Sequence, residues 1–228
     1  MNVDDLTTAH LADACIRAGL PVRCGPASLQ AVERGMRVAG RVLPVHHAGS
    51  VDLYLEALET AQPGDVLVVD NDGLQNEACV GDLVALEVAA AGLAGIIIWG
   101  LHRDTADILE IGLPVFSLGS TATGPLRVQP AAADALTAAT IGDWTVSDRD
   151  VVVGDEDGIL FIEAASFDRV VGIARGIRDT ERRQAELIRG GRSLREQVRF
   201  AEYLAARAEN PDLTFREHLV AAGGAIEV

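Results

Sequence analysis

Two short runs, apolar but for the closing Asp70 of the first, constrain the fold most: Val66-Leu67-Val68-Val69-Asp70 and Gly95-Ile96-Ile97-Ile98-Trp99. Runs of this length without polar alternation read as buried strands. The first follows the turn Pro63-Gly64-Asp65, and a helix from Gly81 to about Ala91 lies between the two. A helix at Thr105–Ile111 and a strand at Pro114–Leu118 come next. Strand–helix–strand order of this kind needs at least one parallel crossover, so the expected class is α/β.

The flanks fit that class. Thr7 to Cys15 reads as a capped amphipathic helix ended by Gly19, and Met36 to Leu43 as a strand closed near Pro44. Ser50 is expected to cap a helix through Thr60, with Val51, Tyr54, Leu55 and Leu58 on its apolar side. Further on, Thr145-Val146 and Val151–Ile162 read as strands, the latter a hairpin turning through Asp157-Gly158. Phe167 to about Gly190 is one long charged helix. Two more helices, Leu194–Leu204 and Thr214–Leu219, are separated by Asn210-Pro211-Asp212. Residues 1–190 are therefore expected to form one domain, and 191–228 a helical arm packed on a neighbouring subunit.

Composition narrows the partners. Hydrophobic residues make up 49% of the chain and aromatics only 4%, so the core must be aliphatic. The excess of 34 acidic over 19 basic residues gives a net charge of −15, which repels phosphate backbones and argues against nucleic acid. No apolar run reaches the ~18–20 residues of a membrane span. The acidic start Met1-Asn2-Val3-Asp4-Asp5 has no signal-peptide core, so the expected location is cytoplasmic. Cys15, Cys24 and Cys79 have no zinc-ligand spacing and are expected to be free thiols.

Chemistry concentrates between Gly81 and Asp107. Gly81-Asp82-Leu83-Val84 opens a helix, whose free N–H groups and positive dipole end suit an anion. Arg103-Asp104 follows the Ile96–Trp99 strand and joins a carboxylate clamp to a ligand for a hard metal. Structural alternatives exist for each: Asp104 as cap of the helix at Thr105, Arg103 paired with Asp107 or Glu110, Asp82 as a first-turn surface acid. His102, flanking a strand end, is expected to be packed or hydrogen-bonded. His46-His47 lacks helical spacing and is not expected to bind metal, and Trp99 is expected in the core or a pocket wall.

Gly81 followed about twenty residues later by Arg103-Asp104-Thr105-Ala106-Asp107 resembles the motif of the RraA-like family, in its class II pyruvate aldolase branch. Supporting matches are Pro63 to Asp70 and Gly154-Asp155-Glu156-Asp157-Gly158, and the resemblance runs from about residue 5 to 190. Departures are Trp99, where many aldolases of the family have Asp, His102 at a commonly aliphatic position, and the loop Ser117–Pro125. The resemblance implies a layered α/β/α, swivelling-domain-like single domain with the helical C-terminal arm. It implies a divalent-metal-dependent lyase that cleaves 4-hydroxy-2-oxo acids to pyruvate through a metal-stabilised enolate, with oxaloacetate decarboxylation as a side activity. Mg2+ or Mn2+ is the implied cofactor, with Asp104 as its ligand. Arg103 is implied to bind substrate and stabilise charge, Gly81, Leu83 and Val84 to receive the substrate carboxylate, and Asp82 to relay a proton. Asp107, and Glu181 from an adjacent subunit, are implied to support the ion's hydration, within a homotrimer or homohexamer. Because the chain contains no Lys, a lysine Schiff base is excluded. The alternative within the same resemblance is a non-catalytic regulator that binds an endoribonuclease.

Overall fold

A computed structural model describes residues 2–222. Its strands are β1 (Arg23–Cys24), β2 (Gln30–Ala31), β3 (Val38–His46), β4 (Val66–Asp70), β5 (Ala78–Val80), β6 (Gly95–Trp99), β7 (Leu101–His102), β8 (Val115–Ser117), β9 (Ala139–Ile141), β10 (Trp144–Val146), β11 (Asp150–Asp155) and β12 (Gly158–Glu163). Its helices are α1 (Thr8–Arg17), α2 (Asp52–Leu58), α3 (Asp82–Ala90), α4 (Thr105–Ile111), α5 (Ala164–Arg189), α6 (Leu194–Gln197), α7 (Phe200–Glu209) and α8 (Phe215–Ala222).

One eight-stranded sheet runs in the order β1-β12-β11-β3-β4-β6-β8-β2. Its middle, β3-β4-β6-β8, is parallel, and the flanking pairs are antiparallel. All of β4 is buried, which explains why its sequence shows no alternation. β1 and β2 sit on opposite edges, yet only residues 25–29 join them. That link reaches at most about 20 Å. The sheet therefore curls, and its inner face closes over Val42, Val66, Val68, Ile97, Phe116, Val152 and Phe161, capped by Leu29 and by Ile141 and Val146 of the β9–β10 ribbon.

The outer face carries the helices. α2, α3 and α4 cover Leu43, Val45, Leu67, Val69, Ile96 and Ile98, while α1 and α5 cover Val151, Val153, Leu160 and Ile162. This is the expected α/β fold with helices beyond the last strand. No described helix is long and apolar enough to cross a membrane.

Local boundaries differ from expectation at four places. β3 continues through Pro44 to His46. The His46 amide donates away from β4, to Ala135, and Pro44, two residues earlier, has the same orientation. β11 pairs only as far as Arg41, so no ladder bond is lost at the proline. α2 starts at Asp52, with Val51 rather than Ser50 at its N-cap and no side-chain cap. The hairpin loop is Glu156-Asp157, since Asp155 pairs with Gly158, which enters β12 at φ +122°. The helix expected at Leu194–Leu204 breaks into α6 and α7 at Arg199, whose φ is +51°.

Candidate active site

The parallel strands deliver their carboxyl ends to one rim of the sheet, where α/β proteins bind ligands. In register, His46, Asp70 and Trp99 form a row on the inner face. The following residues, His47 and Asn71, turn to the helix side. Two cavities result, one on each side of this rim.

The outer cavity has a volume of about 240 Å³ and is lined by His47, Val51, residues 78–84, Arg103 and Pro125. It lies below the ~300–1,000 Å³ of drug-sized pockets, which suits a compact acid. Gly81, Asp82, Leu83, Val84 and Arg103, all named from the sequence, share this one space. Gly81 is the N-cap of α3 and offers no side-chain cap. The amide N–H groups of Asp82, Leu83 and Val84 have no acceptor among the described residues. They form a free donor cluster at the positive end of a helix.

Glycine at position 81 is required by space rather than by conformation. Its φ of −130° is ordinary, but a Cβ there would lie 2.5 Å from Asp104 Oδ2 and 3.3 Å from Arg103 Nε. Gly124 is comparable, since a Cβ would meet Arg103 Nη1 at 2.7 Å. The guanidinium thus passes between two side-chain-free positions. Its backbone is pinned by the Arg103 amide donating to Val80 O at 2.9 Å, and Nε lies 3.3 Å from Asp104 Oδ2.

Asp104 occupies the N-cap of α4 but its side chain caps nothing. Its backbone is left-handed, at φ 56° and ψ 42°, a conformation Asp tolerates at about 1–2 kcal/mol. The capping alternative is therefore absent, and the carboxylate is directed to Gly81 and Arg103 instead. Asp104 Oδ2 packs close against Gly81 and its carboxylate is half-exposed; one accessible hard oxygen ligand fits Mg2+ or Mn2+, which retain waters and accept a chelating substrate. Asp107 is exposed in the first turn of α4 and has no ion pair among the described residues, so it does not hold Arg103. Glu181 sits on α5 with Oε2 3.0 Å from His10 Nε2 of the same chain and does not line the cavity.

The remaining expectations resolve simply. His102 is buried with both ring nitrogens occupied, Nδ1 by Ser117 Oγ at 2.8 Å and Nε2 by Thr105 Oγ1 at 2.9 Å. Cys15, Cys24 and Cys79 are free, and burial pushes the Cys79 thiol up to about 12, far from a thiolate at neutral pH.

The inner cavity is larger, about 450 Å³, and is lined by His46, Asp70, Asp72, Trp99, Asp134 and Thr140 among others. The His46 ring and the carboxylates of Asp70 and Asp72 converge within 4.8 Å, an arrangement that the spacing of His46-His47 alone did not suggest. Each acid is already partnered. Asp70 accepts from the amides of Asp72 and Thr140, both at 2.9 Å. Asp72 pairs with Arg127 at 2.8 Å and with His46 at 3.4 Å. Size alone therefore does not select this cavity; the outer one carries the free donors.

Sequence reading missed the polar framework behind the outer cavity. His47 Nδ1 meets Asn71 Oδ1 at 2.9 Å, and Arg127 Nη2 donates to the same oxygen at 3.2 Å. Arg127 Nε also lies 3.3 Å from Glu77, a buried carboxylate that accepts the Leu126 amide at 2.7 Å. The signal was strand periodicity: alternation at the end of β3 sends two adjacent histidines to opposite faces.

A family model described as RraA-like, Aldolase/RraA, matches residues 8–161. A protein of Aromatoleum aromaticum provisionally named 4-hydroxy-4-methyl-2-oxoglutarate aldolase is 35% identical over 127 residues, covering 55% of this chain and 78% of the relative. A protein from Pseudomonas syringae pv. tomato is similar in structure, with a TM-score of 0.72 and 25% identity over 84% of this chain and 92% of that one. Streptomyces coelicolor RraAS2, described as an unusual member of the RNase ES inhibitor RraA protein family, gives a TM-score of 0.69 and 26% identity, covering 79% and 91%.

Proposed function

The chain belongs to the RraA-like family, and on that premise we propose that it is a divalent-metal-dependent lyase releasing pyruvate from a 4-hydroxy-2-oxo acid. The observation that carries the reading is that the α3 amide cluster and Arg103 line one cavity, with Asp104 packed against Gly81 and Arg103 at its side. The name of the Aromatoleum relative supports the aldolase side.

In this reading Leu83 and Val84 bind the substrate carboxylate through backbone N–H groups, where only an unsubstituted Gly81 admits it. Arg103 spans carboxylate and keto oxygen with paired donors and a permanent charge. Asp104 is the residue that holds the metal. A Mg2+ or Mn2+ ion there supplies Lewis-acid stabilisation of the enolate when bound. Asp82, half-buried at the cavity edge, relays a proton to the enolate carbon through water. Asp107, and Glu181 contributed from an adjacent subunit, support the ion's water. Residues 1–190 form the catalytic domain of a homotrimer or homohexamer, and 191–228 an arm packed on a neighbour. Oxaloacetate decarboxylation accompanies the main reaction because it passes through the same enolate.

A coupled pyruvate assay on a panel of 4-hydroxy-2-oxo acids, with and without EDTA, tests this. Turnover that EDTA abolishes, and that Arg103→Ala lowers by about 100- to 1,000-fold, is the expected result. Turnover unaffected by either treatment overturns it. A second reading, a non-catalytic regulator of an endoribonuclease, draws support from the likeness to RraAS2. Stoichiometric inhibition of a ribonuclease without any pyruvate release would favour that reading.

A further inference from the structure

We propose that His47 is the base that takes the hydroxyl proton of the substrate as its carbon–carbon bond breaks, and that Asn71 and Arg127 are positioning residues that fix its tautomer. The inference rests on the lyase reading above.

His47 is 1% exposed and lines the cavity that also holds Gly81, Asp82 and Arg103. Its ring plane is set by Tyr54, stacked at 5.2 Å with an interplanar angle of 1°, and Tyr54 itself donates to Cys79 O. The tautomer follows from hydrogen-bond chemistry. Arginine can only donate, so the Asn71 atom that meets Arg127 Nη2 is the carbonyl oxygen. The same oxygen faces His47 Nδ1, which therefore carries the proton and leaves a lone pair on Nε2. No hydrogen bond to Nε2 is formed among the described residues, where Asn71 Nδ2 is the only fully buried side-chain N or O atom lacking a partner. Nε2 therefore keeps some accessible surface, on a residue that lines the cavity.

The ring is also kept in its basic form. Burial pushes its pKa below the ordinary value, and Arg127 and His46 act in the same direction, against the Asn71 hydrogen bond and the nearby Glu77. At neutral pH the imidazole is uncharged and can accept.

The chemical step balances without a co-reactant. The C4 hydroxyl proton moves to Nε2, the oxygen's electrons form the new carbonyl, and the C3–C4 bonding pair becomes the enolate. The enolate takes a proton at C3 to give pyruvate, and the imidazolium returns its proton to water. Decarboxylation of oxaloacetate reaches the same enolate by losing CO2 and has no hydroxyl proton to remove. It should not need His47.

That contrast is the test. His47→Asn keeps an amide N–H facing Asn71 but has no base. It should lower cleavage of 4-hydroxy-4-methyl-2-oxoglutarate by about 100- to 10,000-fold, while oxaloacetate decarboxylation by the same preparation stays at the wild-type rate. Asn71→Asp, isosteric and still paired with Arg127, should raise the His47 pKa and move the acid limb of kcat/KM for cleavage to higher pH, leaving the decarboxylation profile in place. Equal loss of both activities in His47→Asn marks a structural role and overturns the proposal, as does undiminished cleavage. If His47→Asn fails to fold, an unmoved acid limb in Asn71→Asp overturns it. A wild-type protein that turns over neither substrate overturns the lyase reading, and the role of His47 falls with it.

Discussion

Gly81 acts through the side chain it lacks. A methyl group there would press on Asp104 Oδ2 and the Arg103 side chain, both half-exposed and free to move away. Because φ at Gly81 is ordinary, Gly81→Ala should fold as the wild type does. Displacing either group by about 1 Å should cost on the order of 100-fold in pyruvate release. Thermal unfolding together with the coupled assay checks this, and full activity in Gly81→Ala would show that the gap has no catalytic use. Other acids of the resemblance have structural jobs. Asp65 accepts from Arg41 and from the Gln62 amide, and Asp70 ties Asp72 to Thr140. A sequence motif marks such acids and Asp104 alike. Only the left-handed backbone and the empty cap at Asp104 tell a free carboxylate from one that collects N–H groups.

Besides their apolar packing, the hairpin β11–β12 and helix α1 share one buried polar tie, Asp155. Its carboxylate accepts from the Thr8 amide at 2.8 Å, Thr8 Oγ1 at 2.6 Å and the Asp157 amide at 3.0 Å. Asp155→Ala would leave the two Thr8 donors buried without partners, which costs about 1–3 kcal/mol for each, while the Asp157 amide on the exposed turn can bond to water. We expect a denaturant midpoint shift equivalent to at least ~2 kcal/mol, with α1 the first helix to lose amide-exchange protection; an unchanged midpoint would deny Asp155 this role. The long elements were legible because their signals are local, helical caps and periodicity or unbroken apolar runs: α1, α3, α4, α5, β4 and β6 all stand where the apolar pattern put them. The two-residue strands β1, β2 and β7 were not, being too short to show any period. The break at Arg199 was also hidden, because the helical pattern of the arm continues across it. Just beyond the break, Phe200 and Tyr203 pack against Phe215 and His218 of α8, a contact between residues too far apart in sequence for a local pattern to show.

At the scale of the molecule, the curled sheet is what no local pattern could announce. It depends on residues 25–29 tying together two strands that pair at opposite edges. The curl separates an inner cavity from an outer one and sends His46 and His47 into different cavities. The convergence of Gly81–Val84 with Arg103 on one cavity was legible because a helix start and a strand end are near in sequence and meet through one crossover. His47, Asn71 and Arg127 were not, since their convergence spans residues 47–127. The central claim is that Asp104, Arg103 and the α3 amides bind one oxo acid together with a divalent ion. Calorimetric titration with oxalate, a planar mimic of the pyruvate enolate, tests it most directly. Binding should require Mg2+ or Mn2+ in the wild type and disappear in Asp104→Ala and Arg103→Ala. Oxalate binding that is independent of metal, or intact in both variants, would contradict it.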